Sequence, residues 1–244
     1  MPLGPRSLAP QDGPIAFGQL EGDARRMLEL AGQGGQDVKV PEPSKVSADE
    51  FLHWVFDQDG HFELVDGFVV EMMAGAKQAH NVVVSNIVIS IGPQAKRDGC
   101  RTTSSDTAVR TGADGIRFPD VVVDCGPPDP SALVAARPTL VVEVSSPGTS
   151  QVDTTDKLDE YQRHETIRLI LFVEPGIVSA KLYRRGEEGV WSAAKYEDLA
   201  DIVDLPEIES TLRLRDIYDT LAPGHRPRLQ LVKGENGGPS SDRR

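Results

Sequence analysis

Two carboxylates that stand in apolar, β-branched runs are the side chains best placed to do chemistry in this sequence. Asp120 directly precedes the valines 121–123, and Glu143 lies in the middle of the run 140–144. Ionised carboxylates are costly to bury unless they are paired or bind a metal ion. If the two runs form neighbouring strands, the side chains can converge with a nearby backbone carbonyl, that of Val144, into a set of oxygen ligands. Such a set suits Mg²⁺, with Mn²⁺ as a substitute, because Mg²⁺ needs only one or two protein carboxylates.

A cation beside these carboxylates would complete a hydrolytic site. In metal-assisted phosphodiester hydrolysis, a lysine can orient the attacking water and balance the developing negative charge. Ser145 stands two positions after Glu143, and the first lysine downstream is Lys157. We predict a helix around Lys157, and a helix packed against the strands could bring its amine to the site.

Each of the three residues also has a purely structural explanation. Asp120 could be a turn residue that opens a strand. Glu143 could be paired with an arginine, such as Arg110 or Arg117. Lys157 could lie on a solvated helix face. These alternatives stay open on the sequence alone.

The elements that would position these residues can be predicted from periodicity and capping. Ser47 followed by Glu50 is an N-cap signal, and Asp66-Gly67 is a hairpin turn signal. We predict helices at 48–57, 79–96 and 154–164, hairpins at 62–73 and 177–195, and strands near 101–110 and at 119–124, 139–145 and 168–173. The second helix is expected to be disturbed at Gly92-Pro93. This order predicts a mixed α/β domain with one central sheet flanked by helices.

Several ordered blocks of the chain resemble the Uma-two family, a family of restriction-endonuclease-like proteins within the PD-(D/E)xK nuclease superfamily. The blocks that carry the resemblance are residues 63–67, His80, residues 119–123, residues 142–147, Asp153, Lys157 and Tyr161. The resemblance spans about residues 46–220. The chain departs from the family in its long N-terminal extension and at residues 168–172, where family members commonly have an acidic-aromatic pair.

The resemblance implies a restriction-endonuclease-like core with a Mg²⁺ site at Asp120 and Glu143. It implies that the lysine has moved from the strand to the following helix, here Lys157, and that Glu63 and His80 lie near the site. Glu63 would then bind a second metal or act through a water, although it could also be the outward residue of an edge strand.

His80, Asp153 and Tyr161 each have a competing structural role. His80 could contact a phosphate or position water, although it also lies on the apolar stripe of its helix and could be a core histidine. We predict that Asp153 caps its helix and that Tyr161 has a packing role.

Composition limits the class of protein. The 244 residues carry a formal net charge of −12, which disfavours binding to phosphate backbones and anionic membranes. We expect a loosely ordered extension at 1–45, one domain at 46–221 and a basic, disordered tail at 222–244. Without a signal peptide or an apolar run of membrane-spanning length, we expect a cytoplasmic protein with no membrane contact. Cys100 and Cys125 form no CxxC pair, so we expect two thiols and no zinc site.

The sequence thus predicts an endonuclease that uses Mg²⁺ to hydrolyse DNA phosphodiester bonds. Two alternatives stay open: a non-catalytic binding or assembly module that keeps the nuclease fold, and a phosphodiesterase acting on RNA or a small phosphate ester. A homodimer is compatible with DNA as substrate, because two symmetric sites can cut both strands.

Overall fold

The computed structural model describes residues 45–72, 76–145 and 151–224, with the side chains of all of these except 151–153. Most of the expected N-terminal extension and C-terminal tail lies outside the described residues.

The described residues form four α-helices. They are α1 (Ala48–Val55), α2 (Gln78–Ala95), α3 (Gln151–Arg163) and the short α4 (Leu214–Ile217). The predicted N-cap of α1 is confirmed: the Ser47 hydroxyl accepts from the Glu50 N–H, and the Glu50 carboxylate accepts from the Ser47 N–H. This reciprocal capping box satisfies two donors that the first turn would otherwise leave free.

The central sheet has six strands and is mixed, as the sequence predicted. Its order is β10 (Trp191–Tyr196), β9 (Ala180–Arg185), β8 (Leu169–Val173), β7 (Pro138–Val144), β6 (Val121–Asp124) and β3 (Arg101–Ser104). β7 and β8 run parallel and are connected through α3, whereas every other neighbouring pair is antiparallel. The all-buried pattern of β6 explains why its sequence lacks alternation.

A second, four-stranded sheet was not predicted. Its order is β2 (Phe68–Glu71), β1 (Phe62–Val65), β5 (Gly115–Arg117) and β4 (Val109–Gly112), and all its pairs are antiparallel. The hairpin β1–β2 turns at Asp66 and Gly67, both with positive φ, as predicted from that dipeptide. A separate two-stranded ribbon joins β11 (Ile202–Leu205) to β12 (Ser210–Arg213).

The two faces of the six-stranded sheet bury different residues. Val142 and Val144 of β7 belong to the large core that α2 covers, together with Ile87 and Ile91 of that helix. Val141 belongs to a smaller core on the opposite face, where Tyr161 of α3 packs. Because neighbouring residues of a strand point to opposite faces, Glu143 lies on the α3 face with Val141.

The stretches predicted near 101–110 are two strands, β3 and β4, which belong to different sheets. Two local predictions need correction. α2 continues through Pro93 to Ala95, since a proline in the last turn disrupts less of the helix than one in its middle. α3 begins at Gln151, so Asp153 lies within the first turn and is not the cap.

The two cysteines are also paired, contrary to prediction. Cys100 and Cys125 form a disulfide with a Cα–Cα distance of 4.2 Å. Cys100 immediately precedes Arg101 and Cys125 immediately follows Asp124, and Arg101 and Asp124 are register partners in the antiparallel β3–β6 ladder. Sequence spacing could not show this pairing, because the register that brings the two residues together is a property of the folded sheet.

Candidate active site

Asp120 and Glu143 lie opposite each other on neighbouring strands. Val121 pairs with Val142 in the antiparallel β6–β7 ladder, so the preceding Asp120 faces the residue that follows Val142. The Val144 N–H donates to Oδ2 of Asp120 at 2.7 Å. The two side chains are 19% and 13% exposed, so the site is reachable from solvent. The structure therefore brings together the two carboxylates singled out from the sequence.

Lys157 reaches the same place from α3. Its Nζ is 3.4 Å from Oε2 of Glu143 and 3.1 Å from Oε1 of Glu63. The side chain is 7% exposed, so the alternative of a solvated helix lysine is wrong. A helix that packs on the strands thus supplies the amine that the strand sequence lacks.

Glu63 is a buried residue of an inner strand. β1 lies between β2 and β5, and the Glu63 side chain is 3% exposed, so it is not the outward residue of an edge strand. Its Oε2 accepts from Arg117 at 2.8 Å, and its Oε1 accepts from the Phe118 N–H at 3.3 Å. With Lys157 as a further neighbour, this carboxylate faces three donors.

Arg117 is a buried cation that bridges Glu63 and Glu160 beside the site. Its guanidinium donates to Glu63 and to both carboxylate oxygens of Glu160, at 2.5 and 2.9 Å. Burial opposes the charged form, but the hydrogen bonds and negative charges of Glu160 and Glu63 outweigh it and raise the pKa of Arg117. Arg110, the other arginine considered for Glu143, is paired with Asp49.

Tyr161 is a polar partner of Glu143 that the sequence interpretation missed. Its hydroxyl donates to Oε1 of Glu143 at 2.6 Å, and its ring is fully buried on α3. The four-residue spacing between Lys157 and Tyr161 was the available signal, because it places both on one helix face.

Burial raises the pKa of Glu143 to about 7, with Asp120 and Glu63 adding to the shift against the opposing charge of Lys157.

His80 stands on the other side of Asp120. It lies in the first turn of α2, and its Nε2 is 3.3 Å from Oδ1 of Asp120. The hydrogen bond with Asp120 raises the pKa of His80, despite partial burial. His80 therefore contacts the site and is not a core histidine among apolar neighbours, which was the competing explanation.

The donor set fits a hard divalent cation. Asp120, Glu143 and the Val144 carbonyl are all oxygen donors, and the Lys157 amine contacts two carboxylates, Glu63 and Glu143, beside them. Among the described residues, no group of three or more His, Cys, Asp or Glu side chains forms a ready metal cluster. Mg²⁺ does not need one, because it usually keeps several waters and takes one or two carboxylates.

The fold is a mixed α/β domain similar to a nuclease fold. Residues 48–215 match the model of the Uma2 family, whose description is "Putative restriction endonuclease". The chain belongs to the Uma2 family, and the resemblance found in the sequence is confirmed.

Two individual proteins are similar to the chain over most of its length, one in sequence and one in fold. It is 29% identical over 180 residues to the uncharacterised protein slr1290 of Synechocystis sp., which covers 73% of this chain and 94% of that protein. Its fold is similar to the crystal structure of a DUF820 protein from Anabaena variabilis, described as a putative nuclease. The TM-score is 0.59 at 19% identity, covering 70% of this chain and 97% of that one.

In the described parts of the chain, no helix combines the length and apolarity that crossing a membrane requires.

Proposed function

We propose that the protein is a metal-dependent endonuclease that hydrolyses phosphodiester bonds in DNA. The observation that carries the proposal is the convergence of Glu143 and Glu63 on the amine of Lys157, with Asp120 opposite Glu143 on the neighbouring strand. Membership of the Uma2 family supports the reaction class.

Asp120, Glu143 and the Val144 carbonyl would hold Mg²⁺, or Mn²⁺ in its place. The bound cation would polarise the phosphoryl oxygen and favour ionisation of the attacking water. The Val144 N–H fixes one oxygen of Asp120, and the Tyr161 hydroxyl fixes one oxygen of Glu143. Each carboxylate therefore enters the reaction already oriented.

Lys157 would orient the attacking water and stabilise the charge that develops on the phosphate. Its position between Glu63 and Glu143 supports this role, because two contacts fix the amine beside the metal-binding carboxylates. The donors around Glu63 favour a positioning role for that residue over direct metal binding.

His80 would assist at the open side of the site. Its contact with Asp120 supports a role in holding that carboxylate, and its place in the first turn of α2 leaves it near an incoming phosphate.

The test is a cleavage assay on plasmid and linear DNA with Mg²⁺ and with Mn²⁺. We expect D120A to abolish cleavage while its circular dichroism and thermal unfolding stay like those of the wild type. D59A is the matched control, since Asp59 is exposed in the segment between α1 and β1 and its removal changes the net charge equally.

Two outcomes would refute the proposal: wild-type protein that cuts no DNA with either metal, or D120A protein that cuts as well as the wild type. In the first case, titration calorimetry with Mn²⁺ separates the alternatives. Heat of binding together with cleavage of RNA or a small phosphate ester would favour the phosphodiesterase, and the absence of both would favour the non-catalytic module.

A further inference from the structure

The sheet face that carries Glu143 continues beyond the site as an unbroken row of register partners. Glu143 pairs with Phe172 of β8, Phe172 pairs with Lys181 of β9, and Lys181 pairs with Lys195 of β10. A straight line across three strand gaps therefore leads from the candidate metal ligand to two lysines.

The side chains of this row share one face of the sheet. The residues that alternate with them, Leu171, Leu182 and Tyr196, belong to or pack against the large core on the α2 side. Phe172 packs with the smaller core on the α3 side. By the alternation of strands, Lys181 and Lys195 lie on the α3 side as well.

These two lysines are available to a ligand, unlike the neighbouring arginines. Arg184 is paired with Glu207, and Arg185 donates to the carbonyls of His164 and Glu165. Within the described residues, neither Lys181 nor Lys195 is ion-paired with a carboxylate, and Lys195 is exposed.

Aromatic rings accompany the cations. The Lys181 amine lies 4.4 Å from the centre of the Tyr183 ring, and Phe172 packs edge-on to the same ring at 6.1 Å. Cations combined with aromatic rings are typical of surfaces that bind a nucleic-acid strand, because they hold phosphates and offer stacking faces.

The dimensions agree with a bound strand. Neighbouring strands of a sheet are about 4.8 Å apart, which places Lys181 and Lys195 roughly 10 and 14 Å from Glu143 along the row. At about 3.4 Å per nucleotide in a stacked strand, this distance covers roughly three to four nucleotides.

We propose that Lys181 and Lys195, which are separated from Glu143 by Phe172, form a track that holds the phosphate backbone of the substrate strand beside the site of cleavage. The proposal rests on the proposed function and deepens it, since it assigns the path of the nucleic acid. The row would give a chain of net charge −12 a local place for a phosphate backbone, because two cations without carboxylate partners among the described residues stand in line with the site.

Binding without cleavage tests the track. The affinity of fluorescein-labelled 20-nucleotide single-stranded and duplex DNA is measured by anisotropy in EDTA over a range of salt concentrations. We expect the K181Q/K195Q double variant to bind at least tenfold more weakly at low salt. The slope of log affinity against log salt should fall by about 1.4 for single strands, since each lost phosphate contact removes about 0.7.

The matched control is K96Q/R97Q, which changes the net charge equally. Lys96 and Arg97 are exposed and follow α2, the helix that covers the opposite face of the sheet. This control should bind like the wild type, and the thermal unfolding of both double variants should match that of the wild type.

The track is refuted if wild-type protein binds neither probe, or if K181Q/K195Q and K96Q/R97Q lose affinity equally. Failure of the proposed function is a separate result. If wild-type protein binds DNA through Lys181 and Lys195 but cuts no DNA with Mg²⁺ or Mn²⁺, the track is supported and the proposed nuclease activity is refuted.

Discussion

The site depends on a buried network in which each charge has a named partner. Arg117 contacts Glu63 and Glu160, Glu63 contacts Lys157, and Lys157 contacts Glu143. Charges removed from water are stable only when such contacts are complete, so loss of one member exposes the others to the desolvation penalty. The buried members Arg117, Glu160 and Glu63 therefore hold Lys157, and through it Glu143, in position.

Replacement of Arg117 by methionine is expected to destabilise the fold strongly. R117M removes a cation that is 2% exposed and leaves Glu63 and Glu160 without it, which typically costs about 3–5 kcal/mol. Urea denaturation measures the loss. The control R110Q breaks an ion pair whose Asp49 partner is largely exposed, and should cost about 1 kcal/mol or less. Equal losses in the two variants would contradict the structural role of Arg117.

Replacement of Lys157 by glutamine separates metal binding from catalysis. If the amine orients water and stabilises charge, K157Q should lower the cleavage rate by roughly 10²–10³-fold. Mn²⁺ binding, measured by calorimetry, should persist because Asp120 and Glu143 remain. K157Q protein that cleaves normally, or that loses Mn²⁺ binding together with cleavage, would contradict the role assigned to Lys157.

At the level of elements, the site forms where the two sheets meet two helices. β6 and β7 place the two carboxylates, β1 of the second sheet brings Glu63, α3 brings Lys157 and Tyr161, and α2 brings His80. A further carboxylate, Asp124 at the end of β6, organises the segment that leads into β7. It accepts from the N–H groups of Gly126, Ala136 and Arg137.

The stabilising effect of Asp124 should disappear in acid. Burial opposes its ionisation, but the backbone hydrogen bonds and Arg101 outweigh burial and lower the pKa of Asp124. A lowered pKa means that the folded state favours the carboxylate, so its contribution is complete above about pH 4 and is lost as the pH falls further. D124N should therefore cost about 1–3 kcal/mol at pH 7 and progressively less below pH 4.

Denaturation of wild type and D124N across this pH range measures the effect. D59N makes the same change at an exposed position and should stay within about 0.5 kcal/mol of the wild type. A difference between wild type and D124N that is constant down to pH 2 would contradict the assignment.

Local sequence signals predicted those elements that depend on neighbouring residues. The capping box at Ser47, the turn at Asp66-Gly67 and the buried valines of β6 each carry their information within a few positions. The short strand β5 has three residues and no periodicity, so it could not be recognised. Without β5, the second sheet and the inner position of β1 could not be predicted either.

In the candidate site too, residues with a local sequence signal could be predicted, and residues placed by distant partners could not. Asp120 and Glu143 were conspicuous because acids are rare in apolar runs. Arg117 could not be placed, because its partners Glu63 and Glu160 are 54 and 43 residues away in sequence. Long-range ion pairs of this kind are set by tertiary packing, which a single sequence does not record.

At the scale of the whole molecule, the disulfide bears on the compartment in which the protein is found. Disulfides persist in oxidising compartments and are uncommon in the cytoplasm. The Cys100–Cys125 bond and the expected cytoplasmic location therefore point in opposite directions, and the location stays a prediction.

Reduction is expected to destabilise the folded chain. The bond joins residues 25 positions apart, and a loop of that size corresponds to about 3.5 kcal/mol in the chain-entropy account of cross-links. Urea denaturation with and without a reducing agent measures the loss, and C100S/C125S should show it without responding to reductant. Two thiols that react with Ellman's reagent in the native, unreduced protein would contradict the bond.

The placement of Lys157 on a helix has a consequence for the stage of folding at which the site is complete. The six-stranded sheet can align Asp120 with Glu143, but the amine arrives only when α3 docks on that sheet. Under the proposed function, a half-folded chain with its strands paired and α3 undocked would hold metal ligands without the catalytic amine. Under the proposed function, cleavage of DNA would therefore begin only after α3 has docked on the sheet.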